Sequence, residues 1–313
     1  MKKQYISIII LILLIVLYFL VEHRESSMTA PKSVENFIGV DTAEVDRITI
    51  GRLGTATTLT RASGNWYVME GEEHHTADPN ATQQLFDIIG DMKVGNVISD
   101  NPDNQIKFQV DTLTGFTVSL FSGDDLLSAV VIGKMADYMH TYVRLRDESQ
   151  VYIADGMMSH LFNRAPSDWR DKTIFDLPTT EVQSVEFKFG DEHYRIVKAD
   201  TVWSVSESPF SEMVDADQDS VTSLLSALCA LRSGGFATAY DTTEYSFESV
   251  GYSAVITMLA GSTRLLEAAK AEEDATRRFV RIPEDNSVFI IFDSTWQKIA
   301  KNFHNLIQTE KNS

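Results

Sequence analysis

The chain has 313 residues, with 27 Lys+Arg against 45 Asp+Glu and a formal net charge of -18. So acidic a surface repels phosphate backbones and anionic headgroups, which argues against nucleic acid as a partner. The single cysteine, Cys229, excludes an intrachain disulfide, and its place in the apolar stretch SLLSALCALR reads as a small core residue.

Met1-Lys2-Lys3-Gln4 precedes YISIIILILLIVLYFLV, Tyr5 to Val21, a run of 17 residues with one serine and no charge. As a helix it is roughly 25 Å long, near the short limit for crossing a bilayer. A soluble core helix would need a polar face, and this run has none. A cleaved signal peptide would have a shorter apolar run followed by small residues, whereas Glu22-His23-Arg24-Glu25 follows here. The expectation is a retained signal anchor over residues 1–24. Lys2 and Lys3 keep the N-terminus in the cytoplasm and place the bulk of the chain outside it, in a bacterial inner-membrane, periplasmic setting. Residues 25–36 read as a polar tether.

The remainder repeats itself. Thr42-Ala43-Glu44-Val45 returns as Thr179-Thr180-Glu181-Val182, and Trp66 and Trp203, like Phe108 and Tyr245, stand 137 residues apart. YVRLRDESQVYIAD from Tyr142 matches FVRIPEDNSVFIIFD from Phe279. In between the offset drifts to 139, setting Leu85, Ile89 and Met92 against Leu224, Leu228 and Leu231. A period this long means two whole modules, residues 37–170 and 171–313, rather than solenoid units.

Each module reads alike in chain order. Val45, Ile48 and Ile50, then Thr58 to Arg61 and Trp66 to Met69, form three strands joined by a polar turn at Ala62-Ser63-Gly64-Asn65. Their partners are Val182 to Phe187, Tyr194 to Val197 and Trp203 to Val205. Asp78-Pro79 then starts a helix with Leu85, Phe86, Ile89 and Met92 at helical spacing, and Val221, Leu224, Leu225, Leu228 and Leu231 make the second such stripe. Strands follow at Phe116 to Phe121, Leu127 to Gly133, Met139 to Arg146 and Gln150 to Ala154. Their partners run Ala254 to Leu259, Leu265 to Ala269, Arg278 to Ile282 and Val288 to Phe292. Short helices close the modules near Gly156 to Asn163 and Ser294 to Leu306. The fold class is α+β: a transmembrane helix followed by two tandem homologous modules of mainly antiparallel sheet, each with one main covering helix.

TAEVDRITI, GNWYV, the Asp78 helix, VVIGK, YVRL, VYIAD and SDWRDKTIFDL together resemble the bacterial family known as domain of unknown function 4340. The resemblance implies an N-terminal membrane helix and a place beside auxiliary components of ABC-type transport systems, such as those linked to gliding motility. It implies no reaction and no catalytic residues. Aligned at the helix offset, Val130 to Lys134 fall opposite Ala269 to Glu273, so the second copy departs from VVIGK.

The search for chemistry yields no catalytic, cofactor or metal residue. Glu72-Glu73-His74-His75 has the right atoms for zinc but no third ligand at a diagnostic spacing, and reads as a solvated loop. His140 and His160 stand alone. Asp100-Asn101-Pro102-Asp103-Asn104 lacks the spaced ligands of a calcium loop and reads as a turn. Gly133-Lys134 lacks the upstream glycine of a phosphate loop. Trp66 and Trp203 read as sheet anchors before they read as a sugar platform. The expectation is therefore a non-enzymatic binding or scaffold protein of the envelope, with a membrane anchor, no cofactor and a protein partner such as an ABC-type transporter or its auxiliary subunit. The alternatives are an envelope spacer or a hydrolase with a dispersed carboxylate site, which would show carboxylates of raised pKa in a cleft.

Overall fold

The computed structural model describes residues 37–307, apart from 209–210, 239–240, 242, 272–274 and 286. Among these residues no helix is long and apolar enough to cross a membrane, and the expected anchor, Tyr5 to Val21, lies outside them. The chain divides into two compact units between Arg170 and Asp171.

The first unit is one nine-stranded sheet with every neighbouring pair antiparallel. Its strands are β1 (Arg47–Arg52), β2 (Thr55–Ala62), β3 (Asn65–Glu70), β4 (Glu73–Thr76), β5 (Val94–Ser99), β6 (Phe116–Ser122), β7 (Asp125–Met135), β8 (His140–Leu145) and β9 (Val151–Asp155), in the order β4-β3-β2-β1-β6-β7-β8-β9-β5. β4 ends at one edge and β5 lies at the other, so the chain between them must cross the sheet. Helix α1 (Pro79–Gly90) makes that crossing. The Asp78 carboxylate caps it, accepting from the N–H groups of Asn80 (2.8 Å) and Ala81 (3.2 Å). Leu85, Ile89 and Met92 bury against Ile48, Leu59, Val68, Val118, Leu120, Val130, Ile132 and Val143, the inward residues of successive strands.

A second core lies apart from this one. The short helix α2 (Gln105–Phe108) brings Phe108 and Val110 onto Val131, Val151 and Tyr142. Gly133 permits that approach, because a Cβ there would stand 2.5 Å from the Phe108 carbonyl oxygen. Helix α3 (Ser159–Phe162) closes the unit, and Trp169 is fully buried in its main core.

The second unit repeats the plan. Its strands are β10 (Val182–Phe189), β11 (Glu192–Ala199), β12 (Val202–Ser206), β13 (Val214–Asp215), β14 (Gly235–Phe236), β15 (Val250–Met258), β16 (Thr263–Ala269), β17 (Arg277–Arg281) and β18 (Phe289–Phe292), ordered β13-β12-β11-β10-β15-β16-β17-β18-β14. Helix α4 (Gln218–Cys229) is the crossing and α5 (Asp293–Ile299) the closing helix. Register repeats with order: Ile48 opposes Leu59 and Leu120 in the first unit, and Val185 opposes Ile196 and Ile256 in the second. The 139-residue offset read from the helical stripes also holds, since α1 starts at Pro79 and α4 at Gln218. Even the second core is matched. Phe108 packs on Tyr142 at 4.7 Å, and Tyr245 on Phe279 at 4.6 Å.

Several expectations need correction. Val45 lies outside β1, as the C-cap of a 3-10 turn over Thr42–Glu44. The closing helices are shorter than expected, and the second gives way to a 3-10 turn at Phe303–Asn305. The edge strands β4, β5, β13 and β14 were not anticipated. Glu73–Thr76 is a strand rather than a loop, paired to β3 with His75 opposite Val68. VVIGK does have a counterpart: Phe116 opposes Ile132 just as Tyr252 opposes Ala268, which sets Lys134 against Lys270. The helix offset does not carry into this strand, because the chain between helix and strand is shorter in the second unit.

Candidate functional site

The second unit holds a cavity of about 800 Å³ where the ends of β10, β16 and α5 and the starts of β15 and β17 meet. Its aromatic wall is Phe189 and Trp296, with ring centroids 6.2 Å apart. Tyr252 stands behind them, 5.1 Å from Trp296 and 5.9 Å from Phe189. The buried Arg278 guanidinium lies 5.6 Å from the Trp296 ring and donates to backbone carbonyls of Ala275 and Arg277. Lys188, Lys270, Asp191, His193, Ser249, Asp293 and Gln297 complete the polar lining, and the Gln297 amide donates to Asp293.

A cavity of about 500 Å³ occupies the matching place in the first unit. Ser159, His160 and Asn163 line it, each 137 residues before Trp296, Gln297 and Ala300 in the other cavity. Arg52 stands where the second unit has Phe189, with its guanidinium 4.5 Å from the Phe116 ring. Lys134 lines the first unit's cavity and its counterpart Lys270 the second's, and Met135 corresponds to Ala271.

The residues singled out from sequence do not converge on either cavity, His160 and Gly133-Lys134 excepted. His75 lies 3.6 Å from Glu70 and 3.3 Å from Glu73, and Glu70 also meets Arg170 at 3.2 Å, while His74 is exposed. His140 is not isolated as expected: Nδ1 sits 2.7 Å from Asp137 and Nε2 3.6 Å from Asp155. Asn101 caps the 3-10 turn over Pro102–Asn104, accepting from the Asp103 N–H at 3.0 Å. Trp203 is buried, and the Gln218 side chain bonds both its N–H and its carbonyl. Trp66 packs on Phe86 at 5.2 Å. No group of three or more His, Cys, Asp or Glu among the described residues is placed to hold a metal ion.

Among the described residues, carboxylates whose acidity the fold clearly moves are all moved downward, and none of these lines the larger cavity. The Met139 N–H lowers Asp137, the Ser220 N–H lowers Asp217, and the Thr238 N–H lowers Asp241. At Asp111, burial pushes the other way and is outweighed by hydrogen bonds from Thr114 and Leu113. A proton-holding acid of the kind a carboxylate hydrolase uses is therefore not found in these four. Burial pushes the Cys229 thiol up to about 11, so it is a poor nucleophile. A thiol-reactive dye should leave the native protein unlabelled at neutral pH and label it fully in denaturant. Rapid native labelling would contradict the buried placement.

The family model described as Domain of unknown function (DUF4340) matches residues 66–250, from β3 to the first residue of β15. The chain belongs to this family. No curated protein and no solved structure matches it significantly. The DUF4340 match thus spans the greater part of the first sheet, the link between units and the first half of the second unit, with β16, β17 and α5 lying beyond it.

Proposed function

We propose that this DUF4340 protein is a non-enzymatic binding or scaffolding component of a bacterial envelope complex. On this reading Tyr5 to Val21 tethers it to the inner membrane, both units lie on the extracytoplasmic side, and its partner is an ABC-type transport system or an auxiliary subunit of one. The observation that supports it best is the repetition itself. Order and register recur in the two sheets while the side chains of matching clefts diverge, as expected of duplicated binding surfaces that have specialised. The acidic surface favours a basic or neutral protein partner over anionic lipid or nucleic acid.

Crosslinking the full-length protein in native membranes, followed by mild solubilisation and mass spectrometry, tests this. The expected result is stoichiometric recovery of a transporter or auxiliary subunit. A protein recovered without a partner, or in the soluble fraction, would overturn it.

A further inference from the structure

We propose that the cavity of the second unit is a saccharide-binding site. Its volume, about 800 Å³, falls within the range of small-ligand pockets. The comparison between units shows that it is not leftover space. At the closing helix and first strand the second unit carries the larger rings, Trp296 for Ser159 and Phe189 for Arg52, yet it has the larger cavity. Room is made elsewhere in the lining, where Ala271 and Ala300 stand in place of Met135 and Asn163. Filling a core calls for the reverse pairing, because interiors are close-packed.

The polar lining selects the ligand class. Lys188 and Lys270 offer donors, Asp191 and Asp293 offer acceptors, and Gln297 carries both functions on its amide. A simple anion would face the two aspartates, a simple cation the lysines and Arg278, and an apolar molecule would strip water from the charged groups without replacing its hydrogen bonds. Hydroxyl groups both donate and accept, so a polyol satisfies the two kinds together. A sugar ring adds a flat face of C–H bonds that packs on Phe189 and Trp296 while its hydroxyls project sideways to the charged groups. Arg278 acts as a positioning residue through its place over the Trp296 ring. The inference stands apart from the membrane anchor and the transporter, and requires neither.

The test is calorimetric titration of the full chain with glucose, maltohexaose, N-acetylglucosamine and its hexasaccharide, with tryptophan fluorescence read in parallel. Saturable binding of at least one sugar at millimolar concentration or below is expected. A monosaccharide that binds as well as its hexamer indicates a free sugar, whereas binding of the hexamer alone indicates a glycan chain. Trp296→Ala should weaken binding about tenfold, the loss of one aromatic contact. Ala271→Met, which restores the first unit's bulk at an exposed position, should weaken it by a similar factor without lowering the melting temperature. Ser159→Ala in the first unit should leave it unchanged. No binding by any of the four sugars, or binding that survives both Trp296→Ala and Ala271→Met, would overturn the assignment.

Discussion

Arg144→Ala should be among the most destabilising single substitutions in the first unit, costing about 3–5 kcal/mol. Arg144 is almost wholly buried, at 3% exposure, and its guanidinium donates to backbone carbonyls. Nε donates to the Val110 carbonyl at 2.9 Å, and Nη1 donates to those of Leu145 (3.0 Å), Arg146 (2.6 Å) and Glu148 (2.7 Å). One side chain thus pins the Phe108–Val110 segment to the sheet and closes the turn between β8 and β9. Truncation leaves the carbonyls of Val110, Arg146 and Glu148 short of a donor, while that of Leu145 keeps the Glu148 N–H. Arg144→Lys should recover little, since a single ammonium cannot reach along a planar fork. The matched residue of the second unit supplies the control. Arg281 lies over the Phe247 ring at 4.3 Å and pairs with Glu267 at 2.7 Å, with its side chain about a third exposed. Arg281→Ala should therefore cost only about 1 kcal/mol. Denaturant unfolding of the two variants, with hydrogen exchange at Val110, separates them. Equal losses would mean that the bonds to carbonyls contribute nothing beyond side-chain packing.

This arginine also marks the limit of what the sequence shows. YVRL and FVRI disclose that an arginine recurs at one strand position, but the two copies use it differently, and that difference depends on carbonyls supplied by a turn and a short helix. Long periodic elements were legible because their signal is burial. Ile48 and Ile50, Leu85 and Ile89, and Leu224 and Leu228 are buried residues at strand or helix spacing. Edge strands carry no such signal. β4 is Glu-His-His-Thr with no fully buried residue, β5 pairs with β9 through register shifts, and β13 and β14 are two residues each. The larger cavity was hidden for another reason. Phe189 and Trp296 lie more than a hundred residues apart, and each looks like ordinary core until Arg52 and Ser159 are set beside it. That comparison needs the correct offset at every strand, which backbone pairing supplies.

Raising the pH should unfold the second unit through two buried phenols, Tyr194 and Tyr252. Tyr252 is fully buried and donates to the Ile299 carbonyl at 3.0 Å, while Tyr194 donates to the Lys301 carbonyl and stacks on Phe187 at 4.8 Å. Together they fasten the end of α5 and the chain after it to the sheet. Burial is the main cause pushing both phenols well above the usual tyrosine value, with Glu192 adding to it at Tyr194 and Tyr194 adding to it at Tyr252. A phenolate there would lose its donor proton and face a carbonyl oxygen across the former hydrogen bond. The sign follows from linkage. Folded values above the unfolded one mean that the unfolded chain releases these protons first. The stabilisation is therefore complete below about pH 10 and lost as pH rises above it, by about 1.4 kcal/mol per pH unit for each phenol. Denaturant titrations across this range should show stability falling with a slope near two protons, and tyrosinate absorbance from these two residues should appear only with unfolding. The Tyr194→Phe, Tyr252→Phe double variant should start less stable, having lost two hydrogen bonds, and fall less steeply. A double variant with the wild-type slope would place the alkaline transition elsewhere in the chain.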